Sequence, residues 1–384
     1  MQDKLTILGN GTSSLVAAIA LSNLGIPVDV FSNYPKENDT NLVTFLSTNS
    51  LNYLNSIGLD QLSKINNEPI NDIECFYINK TNNKKTSLFF SDHKVKPLGT
   101  IIANNDLYKI LYDQITEIEH IRIITDEILG ITFDHPHTNL KMATGETYTA
   151  KIIIVTDSQN KCIQKSSTLK LITKDFNQIA LSIDAGVMRN SKHTAFQYFT
   201  KDGPLALLPI NNLRSSFVWS LQNDSEILQY SKKQLETEIS KYINLHANNL
   251  SINSINQHKL VFNFSKNMTY QNIIFLGESA HKIHPLAGQG FNLTIKDIQT
   301  LQSTLSKYAS LGYELNHEFI FEDFSNKRLP DNALSSFSTM FMSDYFFSNN
   351  PIVNKSIEAS FKTLNKVPFI KRKIMMAATG KKVF

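Results

Sequence analysis

The opening of the chain constrains its fold more than any other feature, because a buried strand runs straight into a glycine-rich turn and an apolar helix. Residues 5–8 read as the strand, Gly9-Asn10-Gly11 as the turn and residues 13–24 as the helix, with Gly25 as its C-terminal stop. A second apolar strand follows at residues 28–31. A strand–helix–strand unit of this kind predicts a parallel sheet with helices packed on it.

The rest of the chain contains further strands of this kind and a region with a different sequence pattern. Residues 151–155 and 272–276 are continuous apolar runs, typical of strands buried on both faces of a parallel sheet. Residues 175–264 carry short strands separated by turns, and helical periodicity begins after Gly290. We therefore predict an α/β fold, with a Rossmann-like parallel sheet, an inserted and mostly antiparallel second sheet, and a C-terminal helical tail.

These sequence patterns also predict the domain boundaries. We expect a discontinuous dinucleotide-binding domain of residues 1–70, 98–174 and 265–330, and a substrate domain of residues 71–97 and 175–264. Residues 331–384 form the helical tail, which ends in a basic segment. Positions 355 to 384 contain a single acid, Glu358, and the bases Lys355, Lys362, Lys366, Lys371, Arg372, Lys373, Lys381 and Lys382.

The first chemical signal is the glycine turn itself. Gly9 permits a tight turn, Gly11 lets the backbone approach a pyrophosphate, and Thr12 and Ser13 open the helix whose N-terminus attracts its charge. Two positions depart from the dinucleotide fingerprint, since Ser14 replaces the third glycine and Ser32 stands where an acid would bind a ribose. A plain strand-to-helix turn is the alternative interpretation.

Composition excludes several other classes. No apolar run approaches the roughly 18 residues of a membrane-spanning helix, and the N-terminus lacks the pattern of a secretory signal, so we expect a cytoplasmic protein. Cys75 and Cys162 have no zinc or disulfide spacing, and His281 and His284 lack a third ligand, so we predict no metal. A net charge of +4 is too small to indicate nucleic acid binding.

The most specific segment runs from Leu276 to Leu293 and reads LGESAHKIHPLAGQGFNL. It resembles the GDAAHxxxPxxGQGxN segment of FAD-dependent aromatic hydroxylases, the group of para-hydroxybenzoate hydroxylase and the ubiquinone-biosynthesis hydroxylases. The resemblance continues at residues 98–107, at DFNQIA from Asp175 and at FTKDGPLALLP from Phe199, followed by Val218-Trp219-Ser220. These later matches favour the polyprenyl-phenol branch of that family.

The resemblance implies a flavin monooxygenase that uses FAD, O2 and a transiently bound NAD(P)H to hydroxylate a prenylated phenol. No side chain is assigned a catalytic role, because the flavin carries the chemistry, and Pro285 and Gln289 are expected beside its ring. Leu205, Leu207 and Pro209 are expected to contact substrate. The expected FAD-binding residues are Gly9, Gly11, Thr12, Ser13, Ser32, Asn105, Asp157, Gly277, Glu278, Pro285, Gly288, Gln289, Gly290, Phe291 and Asn292.

Departures from the family pattern keep alternatives open. Ser32 lacks the acid, Leu42 or Asn41 replaces an arginine, Ser158 replaces the glycine of an Asp-Gly pair, and Glu278 replaces an aspartate. One alternative is a catalytically reduced homologue that assembles with other ubiquinone-pathway enzymes. Another is an FAD oxidoreductase acting on a different lipid or secondary metabolite.

The basic tail bears on location. Its apolar residues, interleaved with the bases, favour contact of the tail with the membrane surface over a merely solvated face. We therefore expect a peripheral protein on the inner face of the cell membrane, where a very apolar substrate resides.

Overall fold

The computed structural model describes residues 4–32, 42–65, 67–80, 82, 84–91, 96–157 and 170–378. Its strands are β1 (Leu5–Leu8), β2 (Val28–Phe31), β3 (Val43–Ser47), β4 (Pro69–Ile70), β5 (Asp72–Ile78), β6 (Lys85–Phe90), β7 (Gly99–Ala103), β8 (Ile121–Ile124), β9 (Ile128–Asp134), β10 (His137–Met142), β11 (Thr147–Ala150), β12 (Ile152–Val155), β13 (Leu171–Arg189), β14 (Thr194–Phe199), β15 (Pro204–Pro209), β16 (Arg214–Gln222), β17 (Ala247–Ser265), β18 (Thr269–Tyr270), β19 (Ile273–Phe275) and β20 (His281–Lys282).

The helices are α1 (Thr12–Ser22), α2 (Thr48–Ser56), α3 (Asn104–Glu117), α4 (Lys232–Ile243), α5 (Gly290–Ser310), α6 (Glu318–Phe347), α7 (Pro351–Lys366) and α8 (Pro368–Ala378). Short 3-10 turns lie at Asp60–Lys64, Glu226–Gln229, Gly277–Ser279 and Pro285–Ala287.

The first sheet has six strands in the order β18-β19-β12-β1-β2-β8. All its pairs are parallel except β18 with β19. The strands β1, β2, β12 and β19 consist of buried residues, and residues 14–22 of α1 are buried against them. The continuous apolar runs of the sequence are explained by this burial on both faces.

The second sheet has eight strands in the order β20-β17-β13-β16-β15-β14-β5-β6. Its pairs are antiparallel except β14 with β5. The short strand β20 joins this sheet by pairing His281 with Phe264, so the segment after β19 crosses from the first sheet to the second. A parallel sheet and an antiparallel sheet with C-terminal helices confirm the predicted fold class.

Two smaller antiparallel sheets complete the strands. One has the order β11-β10-β9 and the other β3-β7-β4. In the second of these, Phe45 of β3 pairs with Ile101 of β7. Phe45 also lies close to Gly288, where an added Cβ would stand 3.3 Å from the Phe45 Cβ.

The two faces of the eight-stranded sheet pack differently. One face buries Leu181, Leu205, Leu207 and Trp219 against helix α4. The opposite face is covered by the C-terminal helices, where the rings of Phe199 and Phe346 stack with centroids 3.7 Å apart. The C-terminal helices therefore cover one face of this sheet.

Candidate functional site

The carboxyl ends of four parallel strands meet at one edge of the first sheet. Gly9 follows β1, Ser32 follows β2, Asp157 lies just beyond β12 and Gly277 just beyond β19. Backbone hydrogen bonds join these ends, from Gly9 N–H to Phe31 O at 3.3 Å and from Leu276 N–H to Val155 O at 2.8 Å. In open parallel sheets this edge is where ligands bind.

The two glycines of the turn serve different purposes. A Cβ on Gly9 would overlap the Thr156 hydroxyl oxygen, so the turn has no room for a side chain there. A Cβ on Gly11 would meet nothing within 4 Å, and its φ of −111° and ψ of 178° suit any residue. Gly11 caps α1 without a side-chain hydrogen bond, which leaves the first-turn N–H groups, including those of Thr12 and Ser13, open to an anion.

Asn10, which the sequence interpretation passed over, fixes the shape of this turn. Its backbone N–H donates to Asp157 Oδ2 at 2.9 Å, and its side-chain oxygen accepts a hydrogen bond from the Ser32 hydroxyl at 2.8 Å. The residue between the two glycines thus ties the turn to the strands on both sides of β1. The dinucleotide fingerprint allows any residue at this position, so the sequence indicated a role for Asn10 only through its polar side chain.

Ser32 and Asp157 therefore both have a role within the protein. The Ser32 hydroxyl donates to Asn10 and keeps its lone pairs as neutral acceptors, as expected for a weak ribose contact. The Asp157 carboxylate holds the turn by accepting the hydrogen bond from the Asn10 backbone N–H. Ser158 lies outside the described residues, while Leu42 accepts a hydrogen bond from Asn104 N–H through its backbone oxygen at 2.9 Å. Asn105 is exposed in the first turn of α3.

Glu278 lies on the rim of the site. Gly277 takes a left-handed conformation with φ of 58°, and Glu278 follows it with a side chain that is 59% exposed. Its carboxylate lies 3.3 Å from the Lys282 ammonium group. The longer acid thus points toward solvent and a lysine, an arrangement that the sequence did not indicate.

The loop of residues 285–290 leads into the N-terminus of α5. Pro285 starts a 3-10 turn that Gly288 closes with a φ of 59°, and Gln289 then caps α5 without a side-chain hydrogen bond. This leaves the N-terminal N–H groups of α5, from Gly290 onward, beside the loop. Phe291, in the first turn, packs against the core of the first sheet.

Asn292 holds this loop against β3. Its amide nitrogen donates to Phe45 O at 2.6 Å, and its amide oxygen accepts from Ser47 N–H at 2.8 Å. Both ends of the side chain therefore bind backbone, so Asn292 serves to position the loop. The N-termini of α1 and α5, with the turn at residues 9–11 and the loop of residues 285–290, provide backbone N–H groups that can bind the negative charges of an FAD molecule.

The family described as FAD binding domain matches residues 3–310. The chain belongs to this family. FAD is accordingly its cofactor, and the open position at Gly11 fits that assignment.

Curated relatives of this FAD-binding chain are named as hydroxylases of ubiquinone biosynthesis. The 3-demethoxyubiquinol 3-hydroxylase of Escherichia coli is 22% identical over 90% of this chain and 90% of its own length. Ubiquinone hydroxylase UbiL of Rhodospirillum rubrum is 21% identical over 85% of this chain and 78% of its own. The COQ6 monooxygenase of Dictyostelium discoideum is 24% identical over 74% and 69%.

Solved structures share the fold at low identity. The p-nitrophenol 4-monooxygenase PnpA of Pseudomonas putida superposes with a TM-score of 0.78 at 12% identity, covering 99% of both chains. HpxO of Klebsiella pneumoniae, solved with FAD and uric acid, gives 0.75 at 12% identity over 100% of this chain and 98% of its own. These likenesses support the two-sheet architecture.

The two histidines of the segment at residues 276–293 have different partners. His281 Nε2 lies 2.6 Å from Asp297 Oδ2, and Arg328 Nε donates to the other oxygen of Asp297 at 2.7 Å. Asp297 is completely buried and Arg328 is 1% exposed. Burial raises the pKa of Asp297, but the neighbouring His281 and the Arg328 guanidinium outweigh it and hold that pKa below its usual range. This network fastens the motif to helices α5 and α6.

His284 is a neutral group beside the loop. Its Nε2 lies 2.8 Å from Gln178 Oε1, so the ring donates there, and its Nδ1 has no partner among the described residues. Burial lowers the pKa of His284 to about 4. Within the described residues, no three histidine, cysteine or acidic side chains group as a metal ion would require.

The sequence predicted that Leu205, Leu207 and Pro209 of β15 contact the substrate, but the structure places the two leucines on the other face of the strand. Leu205 and Leu207 do not face the site, because they are buried in the core behind the sheet with α4. Leu208 instead contacts the cluster that includes Phe45. Because side chains alternate along a strand, Ala206 shares this front face, and Pro209 ends the strand.

Proposed function

We propose that this protein is an FAD-dependent monooxygenase that hydroxylates the aromatic ring of a polyprenyl-phenol in ubiquinone biosynthesis, with NAD(P)H and O2 as co-substrates. One observation carries the proposal: the loop of residues 285–290, at the N-terminus of α5, lies against the front face of the eight-stranded sheet. Leu286 joins the cluster of Phe199, a Cβ on Gly288 would lie 3.3 Å from Phe45, and His284 bonds Gln178 of β13.

Small side chains on that face support a ring-sized site. The strand register pairs Ala180 with Ser220 and Val218 with Ala206, and residues two apart share a face. Ser216, on the same face, is 1% exposed and its hydroxyl has no partner among the described residues. Ala180 and Val218 belong to a cluster with Phe337 of α6. The candidate ring site therefore lies next to Ser216, which pairs with Leu208 and whose hydroxyl can bind a phenol oxygen.

The residues of this chain would hold the reactants and shield them. When bound, FAD supplies the redox chemistry, since it accepts hydride from a nicotinamide and reacts with O2. The positive end of α5 stabilises negative charge placed at the loop. His284 stays neutral at physiological pH, and Leu208 and Phe45 exclude water from the space in front of the sheet.

The test is direct. The purified protein should show flavin absorbance, oxidise NAD(P)H faster when a prenylated phenol is added, and yield a product heavier by one oxygen atom. The rival interpretation, an assembly component with reduced activity, is favoured by the exposed Glu278 and by Ser32. Flavin binding without any phenol-stimulated oxidation would contradict the hydroxylase proposal and leave the assembly component or an oxidoreductase acting on another substrate.

We also propose that the C-terminal helices bind an anionic membrane surface, where the substrate resides. None of the helices in the described ranges combines the length and apolarity needed to cross a bilayer. Helices α7 and α8 carry exposed apolar residues beside the basic ones, with Ile352 77% and Phe369 67% exposed. Such helices lie in the headgroup region, and each basic residue there adds about 1 kcal/mol.

Charge reversal tests the membrane proposal. Changing Lys371 and Arg372 to Glu should weaken binding to vesicles containing phosphatidylserine by at least about thirtyfold, because roughly 2 kcal/mol is lost. The matched control changes Lys232 and Lys233, exposed on α4, to Glu. Co-sedimentation measures both, and equal binding by the two variants would contradict the assignment.

A further inference from the structure

An apolar cluster adjoins the loop of residues 285–290 on the side of the C-terminal helices. Leu98 and Met375 are 2% and 3% exposed, and the partly buried side chains of Phe45, Ile73 and Phe90 pack against them. Four of these residues belong to β3, β5, β6 and the chain before β7, whereas Met375 comes from α8. A residue of the C-terminal helix thus completes an apolar group built by the sheets.

Phe45 connects this cluster to the site of the flavin ring. Its Cβ lies 3.3 Å from where a Cβ on Gly288 would stand, and its backbone oxygen is bonded by Asn292 at the start of α5. The same side chain also packs with the group that contains Leu208 of the front face. A continuous row of packed apolar side chains, the apolar path, therefore runs from the loop of residues 285–290 to α8.

Helix α8 is held more weakly than its neighbour α7. Met375 is the buried apolar side chain of α8 among those described, while Phe369, Ile370 and Ile374 are 67%, 44% and 40% exposed. In α7, by contrast, Ile357 and Phe361 are buried, and the Tyr77 hydroxyl donates to Asn354 at 3.0 Å. Little apolar area is therefore lost if α8 moves away.

We propose that Phe45, Ile73, Phe90 and Leu98 form the binding site for the apolar tail of the substrate, and that Met375 is a plug which the tail displaces. The inference rests on the proposed function, because only a ring with a long apolar substituent needs such a path. An unbranched thioether side chain suits this purpose, since it packs adaptably and can be replaced by hydrocarbon. The exposed apolar residues of α8 then lie where a lipid surface could receive them.

Two matched pairs of variants test this site. Phe89 and Phe90 are neighbours on β6, but Phe89 is 43% exposed and outside the cluster. Met375 and Ile374 are neighbours on α8 with the same contrast. The FAD-loaded protein is titrated by calorimetry with ortho-farnesylphenol, and with ortho-cresol as the phenol that lacks the tail.

The expected effects have opposite signs. Phe90→Ser should weaken farnesylphenol binding by about tenfold, because part of the apolar wall is lost, and Met375→Ala should strengthen it by about tenfold, because the competing side chain is removed. Phe89→Ser and Ile374→Ala should leave binding unchanged, and cresol binding should be the same in all four variants. FAD content and the urea unfolding midpoint show that each variant is folded.

Two outcomes would overturn the inference. Equal farnesylphenol affinity in Phe90→Ser and Phe89→Ser would show that Phe90 does not contact the tail. Weaker binding by Met375→Ala would show that the tail does not displace the methionine. These binding results do not depend on turnover. If the variants behave as expected but no hydroxylated product forms, the tail site stands and the proposed function fails.

Discussion

Replacement of Gly11 by alanine should separate cofactor binding from folding. The new Cβ would point into open space with no atom of the described chain within 4 Å, on a backbone that any residue adopts. Loss of a glycine N-cap costs about 0.5 to 1 kcal/mol, and the smaller entropy of the unfolded chain offsets it by about 0.4 to 1 kcal/mol. The free energy of unfolding without FAD should therefore change by less than about 0.5 kcal/mol.

The same space is where the pyrophosphate of FAD would approach the helix. FAD at a hundred times its dissociation constant should raise the free energy of unfolding of the parent protein by about 2.7 kcal/mol, and this gain should vanish in Gly11→Ala and in Gly11→Val. Urea unfolding with and without FAD measures both quantities. A Gly11→Val protein that keeps the full gain would refute the placement of FAD at α1.

Gly9 supplies the contrasting control. Gly9→Ala should destabilise the protein even without FAD, because its Cβ would overlap the Thr156 hydroxyl. The second change Thr156→Ala removes that oxygen and leaves the nearest remaining Thr156 atom, its Cβ, at 3.4 Å, an ordinary contact. The double variant should recover most of the lost stability, and a failure to recover would show that the turn is distorted for another reason.

Three further perturbations follow from the site. Since burial lowers the pKa of His284 to about 4, the unfolded chain binds its proton more tightly between pH 4 and 6.5, so the free energy of unfolding should fall by about 3 kcal/mol as the pH drops through this window. His284→Gln should remove this component, whereas His317→Asn, at an exposed position, should retain it. Arg328→Met should cost about 3 to 5 kcal/mol in urea unfolding, because buried Asp297 loses its guanidinium partner and keeps only His281 and the Asn332 amide. Lys327→Met, which breaks an exposed pair with Asp323, should cost at most about 1 kcal/mol, and equal costs would contradict the buried network. Ser32→Glu should tighten FAD binding about tenfold in a fluorescence titration, because a charged acceptor replaces a neutral one, and unchanged affinity would move the ribose elsewhere.

The sequence predicted the elements whose local pattern is strong. Strands β1, β2, β12 and β19 are continuous apolar runs, and burial on both faces of a parallel sheet requires that composition. The resemblance implied that Gly9, Ser32, Asp157 and Gly277 bind FAD, and they meet in the structure because the carboxyl ends of parallel strands share an edge. The FAD-binding family expected from the resemblance at residues 276–293 is confirmed by the family match over residues 3–310.

Other features depend on distant parts of the chain. Alternation along β15 defines two faces, but which face meets the site depends on α4, which packs behind Leu205 and Leu207 from residues 232–243. The role of Asn292 depends on β3, about 245 positions away in the chain. Met375 lies near Phe45 only because three helices fold back across the sheet. No local pattern carries such information.

The bonds of Asn10 bear on whether the departures from the family pattern weaken the cofactor site. Ser32 and Asp157 hold Asn10 from both sides, so the turn has its shape before any ligand arrives. Ordering a mobile side chain on binding costs about 0.5 to 1.5 kcal/mol, and a turn that is already fixed avoids this cost. The neutral acceptor at Ser32 loses about 1 kcal/mol relative to a carboxylate. The two effects are similar in size and opposite in sign, so a missing acid at the end of β2 is compatible with a functional FAD site.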